Sequence, residues 1–238
     1  SAWVNSEALR RAGIDRDTPD PVDGRIERDA DGTPTGTLHE GARMLALRLA
    51  PSPTADEQYA GLLEAQRHLH SFGITGWQDA LIGDYGNHSA GIVDAYQRAM
   101  DESALKARVN GAIWWERERG VEQIPRIQEL RERFQDEWFR VSTVKVMQDG
   151  IVENRTAAMI EPYVHRCGPG EAHDDGISFV DPDLLADYVA RLDALGFQVH
   201  FHAIGDRGVR EALDAVAAAR AANGESGITH HIAHLQVV

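Results

Sequence analysis

Cysteine is nearly absent: the one residue, Cys167, lies in a Pro/Gly-rich stretch. No intramolecular disulfide can staple the fold, and the thiol reads as a loop residue rather than a nucleophile. There is no run of about eighteen apolar residues and no basic segment leading into an apolar one, which argues against a membrane span or an attached signal peptide. The chain reads as soluble and cytoplasmic. Cations are also scarce, 24 Lys and Arg against 38 Asp and Glu, for a formal charge of -14. That field repels a phosphate backbone, so nucleic acid is excluded as a partner. Local charge clusters such as Arg131-Glu132-Arg133 read as solvated helix faces.

What is present is an alternation. Short apolar segments alternate with longer amphipathic ones, the sequence form of βαβ units. Thr54 with Glu57 at the third helical position forms a capping box, and Tyr59, Leu62, Leu63 and Leu69 recur at helical spacing until Gly73. Further helices are expected around Ile92–Met100, from Glu122 to Phe134 with Pro125 in the first turn, from Pro182 to Gly196 behind the cap Asp181, and around Val209–Val216. Strands are expected near residues 74–79, 108–114, 143–148, 197–202 and 229–235, parallel and neighbouring in that order. The fold class is α/β: about five central strands of a (β/α)8 TIM barrel, lacking strands at both ends.

Residues 1–50 differ, and residues 51–238 form the barrel part. Trp3, Val4 and Leu9 suit a short helix, and Arg25 to Gly32 reads as a strand entering the tight turn of a hairpin. This region is read as an excursion from the barrel, near its mouth. The segment Gln148–Gly176 is longer than most strand-to-helix connections, which suggests a working loop.

In parallel-sheet proteins ligands gather at the carboxyl ends of strands. Lys145 lies inside the apolar segment Thr143–Met147, where an ammonium is costly unless paired or modified; the plain alternative is a lysine snorkelling at the rim. His200 and His202 share one side of a strand, and only the later one should reach the mouth. His234 is the matching residue on the next strand, close enough for two imidazoles to share a divalent cation, with core histidines as the alternative. Asp79 closes the first strand candidate and is a candidate for contacting substrate or supporting the ligands. Trp77, Trp114 and Trp115 suit either an aromatic wall or the core.

Five stretches, SAWVNSEAL at the start, GITGWQDA at 73–80, VKVMQDGIVENRTAAMIEPY at 144–163, HFHAIGDRGVREALDA at 200–215 and HHIAHLQ at 230–236, together resemble the YtcJ-like amidohydrolases. These are also grouped as amidohydrolase family 3 and include N-substituted formamide deformylases. The resemblance implies a distorted TIM barrel beside a small β-sandwich, with one or two divalent cations of zinc type at the barrel mouth. It implies that Lys145, as the amine or as its carbamate, is the metal-site lysine, and that Lys145, His202 and His234 are metal-binding and catalytic. Asp206 and Arg155 become candidates for facing substrate or supporting the ligands, with a helix cap and a loop tie as their plain alternatives.

The implied activity is hydrolysis of a non-peptide, amide-type C–N bond in a small molecule by metal-activated water. A deaminase, a carbamate or thiocarbamate hydrolase, or a non-catalytic barrel fragment are the alternatives. The family's first-strand His-x-His pair and last-strand aspartate cannot be located here. Ala233 stands where the family has glutamate, and Ile151-Val152-Glu153-Asn154 replaces its small loop residues. The chain prepared alone is therefore expected to be metal-poor and close to inactive, its exposed edges covered by another copy or by the remainder of a parent chain.

Overall fold

The computed structural model describes residues 1–83, 91–164 and 175–238. Cys167 and the middle of the long connection after residue 148 lie outside the described residues. The described residues fall into two compact units, residues 1–53 and the remainder.

In the first unit, β1 (Ala2–Trp3), β3 (Pro34–Glu40) and β2 (Gly24–Arg28) form an antiparallel sheet in that spatial order. The expected hairpin is there, with Gly32 at φ 86° closing its turn. Helix α1 (Ser6–Ala12) starts where Asn5 accepts a hydrogen bond from Ala8 N, and the left-handed Gly13 ends it. This corrects the expectation for Trp3: Asn5 caps the helix behind it, so Trp3 pairs with Thr37 as a strand residue. Ala12, Ile14, Ile26, Leu38, Ala42 and Ala46, the last on the short α2 (Met44–Leu47), form a small core.

The second unit alternates α3 (Ala55–Ser71), β4 (Gly76–Ile82), α4 (Ile92–Asp101), β5 (Arg108–Trp114), α5 (Ile124–Arg133), β6 (Phe139–Met147), α6 (Pro182–Ala194), β7 (Gln198–Ala203), α7 (Asp206–Asn223) and β8 (His231–His234). The five strands form one parallel sheet in the order β4-β5-β6-β7-β8. It is a curled, partly open sheet, a (β/α) barrel that does not close. Both arms of the Thr54–Glu57 capping box form, and Pro125 and Pro182 sit in the first turns of their helices. Among the described residues, no helix is long and apolar enough to cross a membrane.

The two faces of the sheet differ chemically. Val109, Ile113, Phe139, Val141, Val144, Val146, Val199 and Phe201 pack with the helices in one large apolar cluster. Tyr96 of α4 stacks on Phe139 with ring centroids 4.2 Å apart. Ala212, Ala215 and Ala219 give α7 a buried small-residue stripe facing that cluster. Strand side chains alternate, and in β6 a register shift between Val141 and Thr143 changes the parity, so Asn110, Trp114, Thr143, Lys145, Gln198, His200 and His202 are left for the inner face.

Candidate functional site

The inner face is layered. At the amino-terminal end of the strands the polar groups satisfy one another: Asn110 Nδ2 donates to Thr143 Oγ1 at 2.9 Å, and Thr143 Oγ1 to Gln198 Oε1 at 3.1 Å. One layer towards the carboxyl ends, Trp114, Lys145, His200 and His231 lie in register across β5 to β8. Here satisfaction stops. Lys145 Nζ and both ring nitrogens of His200 are buried without a hydrogen-bond partner among the described residues, in residues only 7% and 8% exposed.

Burial pushes Lys145 down to about 7, against the attraction of Asp149. Burial, with Lys145 and the neighbouring imidazoles, pushes His200 down to about 3. Burial also lowers His231 and His234, with Lys145 adding to both. The layer therefore favours neutral bases and offers them to whatever positive or electrophilic group arrives.

At the mouth, His202 and His234 lie edge to face with ring centroids 4.5 Å apart. They are not register partners: His202 pairs with Ala233, and Ala203 with His234. This corrects the expectation that His234 matches His202 along the strands. His234 instead sits at φ 90°, off the strand geometry, which alters the direction in which its side chain leaves the backbone. His202 Nε2 lies 2.9 Å from the Gly150 carbonyl and 3.7 Å from Asp149 Oδ1. The carbonyl can only accept, so Nε2 donates there.

Asp149 was not among the expected residues. It is completely buried and accepts from Ala158 N, Ile204 N and Gly205 N at 3.0, 3.0 and 2.8 Å. Burial raises it to about 6, the three backbone donors pull the other way, and Glu211 adds to the rise. Its work is to tie the loop after β6 to the turn after β7, beside His202. The signal for it was the Asp-Gly pair directly following the Lys145 strand.

The remaining candidates are placed elsewhere. Asp206 is the first residue of α7 and not its cap, which is Gly205. Its Oδ1 accepts from Ile160 N and Arg207 N, both at 2.8 Å, so it fastens the long loop. Arg155 takes a left-handed backbone, φ 59°, closing the turn Val152–Asn154. Asp79 accepts from Tyr96 Oη at 2.9 Å, and Tyr96 in turn accepts from Trp77 Nε1 at 3.3 Å. That turns Asp79 towards α4 and away from the inner face. Trp77 and Trp115 belong to the core cluster, and of the three tryptophans Trp114 lies in the layer of Lys145. Among the described residues, no three of His, Cys, Asp and Glu are gathered to hold a metal by themselves.

The family model for the amidohydrolase family (Amidohydro_3) matches residues 1–238. The chain belongs to that family. Within it the chain is similar to the exoenzymes regulatory protein AepA of Pectobacterium carotovorum, 31% identical over the whole chain and 49% of AepA. It is also similar to the putative amidohydrolase YtcJ of Bacillus subtilis, 30% identical over 90% of the chain and 38% of YtcJ. The crystal structure of an uncharacterized metal-dependent hydrolase from Pyrococcus furiosus shares the fold, with a TM-score of 0.61 at 23% identity, over 97% of this chain and 42% of that one. The chain thus spans about half or less of the length of these relatives.

Proposed function

We propose that this chain carries the central part of a metal-dependent hydrolase that cleaves amide-type, non-peptide C–N bonds in small molecules, with Lys145, His202 and His234 at its centre. The observation behind this reading is the bare amine: a lysine Nζ with no hydrogen-bond partner among the described residues, buried one layer beneath two facing imidazoles. An isolated ammonium is costly there. A neutral amine is not, and it can add carbon dioxide at Nζ and release one proton to become an anionic carbamate.

That set of donors, two imidazoles and a carbamate oxygen, suits a cation of zinc type. A divalent cation bound there supplies a Lewis acid that polarises a substrate carbonyl and lowers the pKa of water. The chain's own residues do the rest. The Gly150 carbonyl holds the Nε2 proton of His202 and so orients its ring. Asp149 keeps the two strand-end loops together around that histidine. The half-buried Trp114 offers an apolar surface in the layer of Lys145.

The test uses the full gene product. Zinc content, the carbamate carbon signal after growth with 13C-bicarbonate, and turnover of N-formyl amines, carbamates and amino-heterocycles are measured for the parent, Lys145→Met and His202→Ala. The expected result is stoichiometric zinc, a carbamate signal and hydrolysis of N-formyl amines in the parent, all lost in Lys145→Met. Full zinc and turnover in Lys145→Met would overturn the assignment, and turnover of carbamates or amino-heterocycles alone would replace the substrate class.

A further inference from the structure

At the amino-terminal end of the sheet, away from Lys145, a second polar cluster is buried. Asp193 of α6 is 2% exposed. Its Oδ1 accepts from Ser226 Oγ at 2.6 Å and lies 3.1 Å from His230 Nε2, and its Oδ2 accepts from Asn223 Nδ2 at 2.9 Å. On the other side of the ring, Val199 N in β7 donates to His230 Nδ1 at 3.0 Å. A backbone N–H can only donate, so Nδ1 holds the lone pair and the ring proton is on Nε2, where it donates to Asp193. The neighbours leave one tautomer and one orientation.

We infer that His230 and Asp193 are positioning residues, a clamp that fixes the register of β8 and hence the place of His231 and His234 at its far end. β8 needs such a device. It is four residues long and, among the described residues, pairs only with β7. Among the described residues, the β8 side chain packed against the apolar cluster is that of Ile232. A slip of one residue would turn Ile232 onto the polar inner face and bring His231 against the helices. One partly buried isoleucine opposes that slip weakly.

The His230 ring takes the place at Val199 N–H that a neighbouring strand's carbonyl would otherwise fill. Through Asp193 the ring is anchored to α6, and through Asn223 to the end of α7. Arg220 donates to Ser226 Oγ at 3.3 Å and to Ile228 O at 2.6 Å, so the connection into β8 is held as well. Register is thereby decided at the foot of the strand, and the candidate site at its head inherits it. The inference concerns the site proposed above, but register is read without any metal, so failure of one is distinguishable from failure of the other.

The experiment is NMR on the full gene product stripped of metal, with the imidazole nitrogens and the backbone amides of this sheet assigned. Expected for the parent are an Nε2–H tautomer at His230, a slowly exchanging Val199 amide and a nuclear Overhauser contact between the rings of His202 and His234. In His230→Leu that contact should vanish and the Val199 amide exchange at least about tenfold faster, as loss of one buried hydrogen bond implies. The amides of β5 and β6 should be unchanged. His230→Asn, whose Oδ1 can accept from Val199 N, should recover part of the protection. A folded His230→Leu that keeps the ring contact overturns the inference. An Nδ1–H tautomer or an unprotected Val199 amide in the parent overturns it too, with no variant required, so the test stands even if His230→Leu does not fold.

Discussion

Replacing Lys145 with methionine should make the metal-free protein more stable. Methionine matches the length of the lysine stem and lacks the amine, whereas Lys145 buries an Nζ with no partner among the described residues. The size of the gain follows from the amine's displacement from 10.5 to about 7. At 1.36 kcal/mol for each pH unit, the charged form is disfavoured by about 5 kcal/mol, which is a ceiling. Relaxation around the amine reduces it, so about 2–4 kcal/mol is expected at pH 7.

The sign is testable through pH. The folded value lies below the unfolded one, so between them the unfolded chain holds the extra proton and the parent's stability rises with pH. The advantage of Lys145→Met is therefore full at pH 7 and below, and shrinks as pH approaches 10.5. Urea denaturation in carbonate-free buffer at about pH 7 and about pH 9.5 measures both quantities. A variant no more stable than the parent at pH 7, or an advantage that does not shrink at the higher pH, would refute the reasoning, because removing a well-paired lysine destabilises. Zinc with bicarbonate should reverse the ranking, since only the parent can form the carbamate.

Gly205→Ala should cost about 3 kcal/mol in a denaturation curve, because a Cβ there would lie 2.0 Å from the Ala158 carbonyl oxygen; a loss below about 1 kcal/mol would show that the loop after β6 yields. Thr54→Ala should cost about 1 kcal/mol through loss of the hydroxyl that accepts from Glu57 N, the backbone arm to Glu57 Oε2 being kept, and an unchanged urea midpoint would contradict it. Burial holds His230 below its ordinary 6.5 although the Asp193 hydrogen bond opposes, with Arg220 pushing the same way as burial. Its stabilising contribution should therefore be complete above about pH 6.5 and be lost as pH falls, more steeply in the parent than in His230→Asn; parallel curves of stability against pH for the two proteins would rule this out.

Periodicity made the helices legible, because their apolar positions face one continuous core: Leu185, Val189 and Leu192 are both the stripe seen in the sequence and the buried side of α6. Strand ends were less legible. β4 runs from Gly76 to Ile82 rather than over 74–79, since the buried end is Ile82 while Ile74 is 40% exposed. β6 begins at Phe139, four residues early, because Phe139 and Val141 point into the helix layer before the apolar run starts. Strand-end positions made Lys145, His202 and His234 candidates, but the layer that Lys145 shares with His200 and His231 comes from the register of three strands and was not legible. Nor was the offset between His202 and His234, because it is set by the register of β8 on β7 and accompanied by a positive φ at His234, neither of which leaves a periodic trace. Asp149 and His230 escaped for a related reason: each acts by accepting backbone N–H bonds from segments distant in sequence, as in the 55 residues separating Asp149 from Ile204, and no periodicity announces such a contact.

The contrast between the two faces of the parallel sheet has an evolutionary consequence. The buried apolar cluster takes its strand residues from the helix-facing side, and the inner side is occupied by amides, hydroxyls, a lysine and imidazoles. Folding and chemistry therefore draw on alternate letters of the same strands. Selection can rewrite Asn110, Trp114, Thr143, Lys145, Gln198 or His200 without disturbing the packing that holds the helices down, and a lineage exchanging those letters could pass from one substrate or metal to another while its scaffold drifts separately. The same interleaving tells a protein engineer where diversity is tolerated: a library confined to the inner-face residues of β5, β6 and β7 should return folded variants at a far higher rate than one spread over the helix-facing positions.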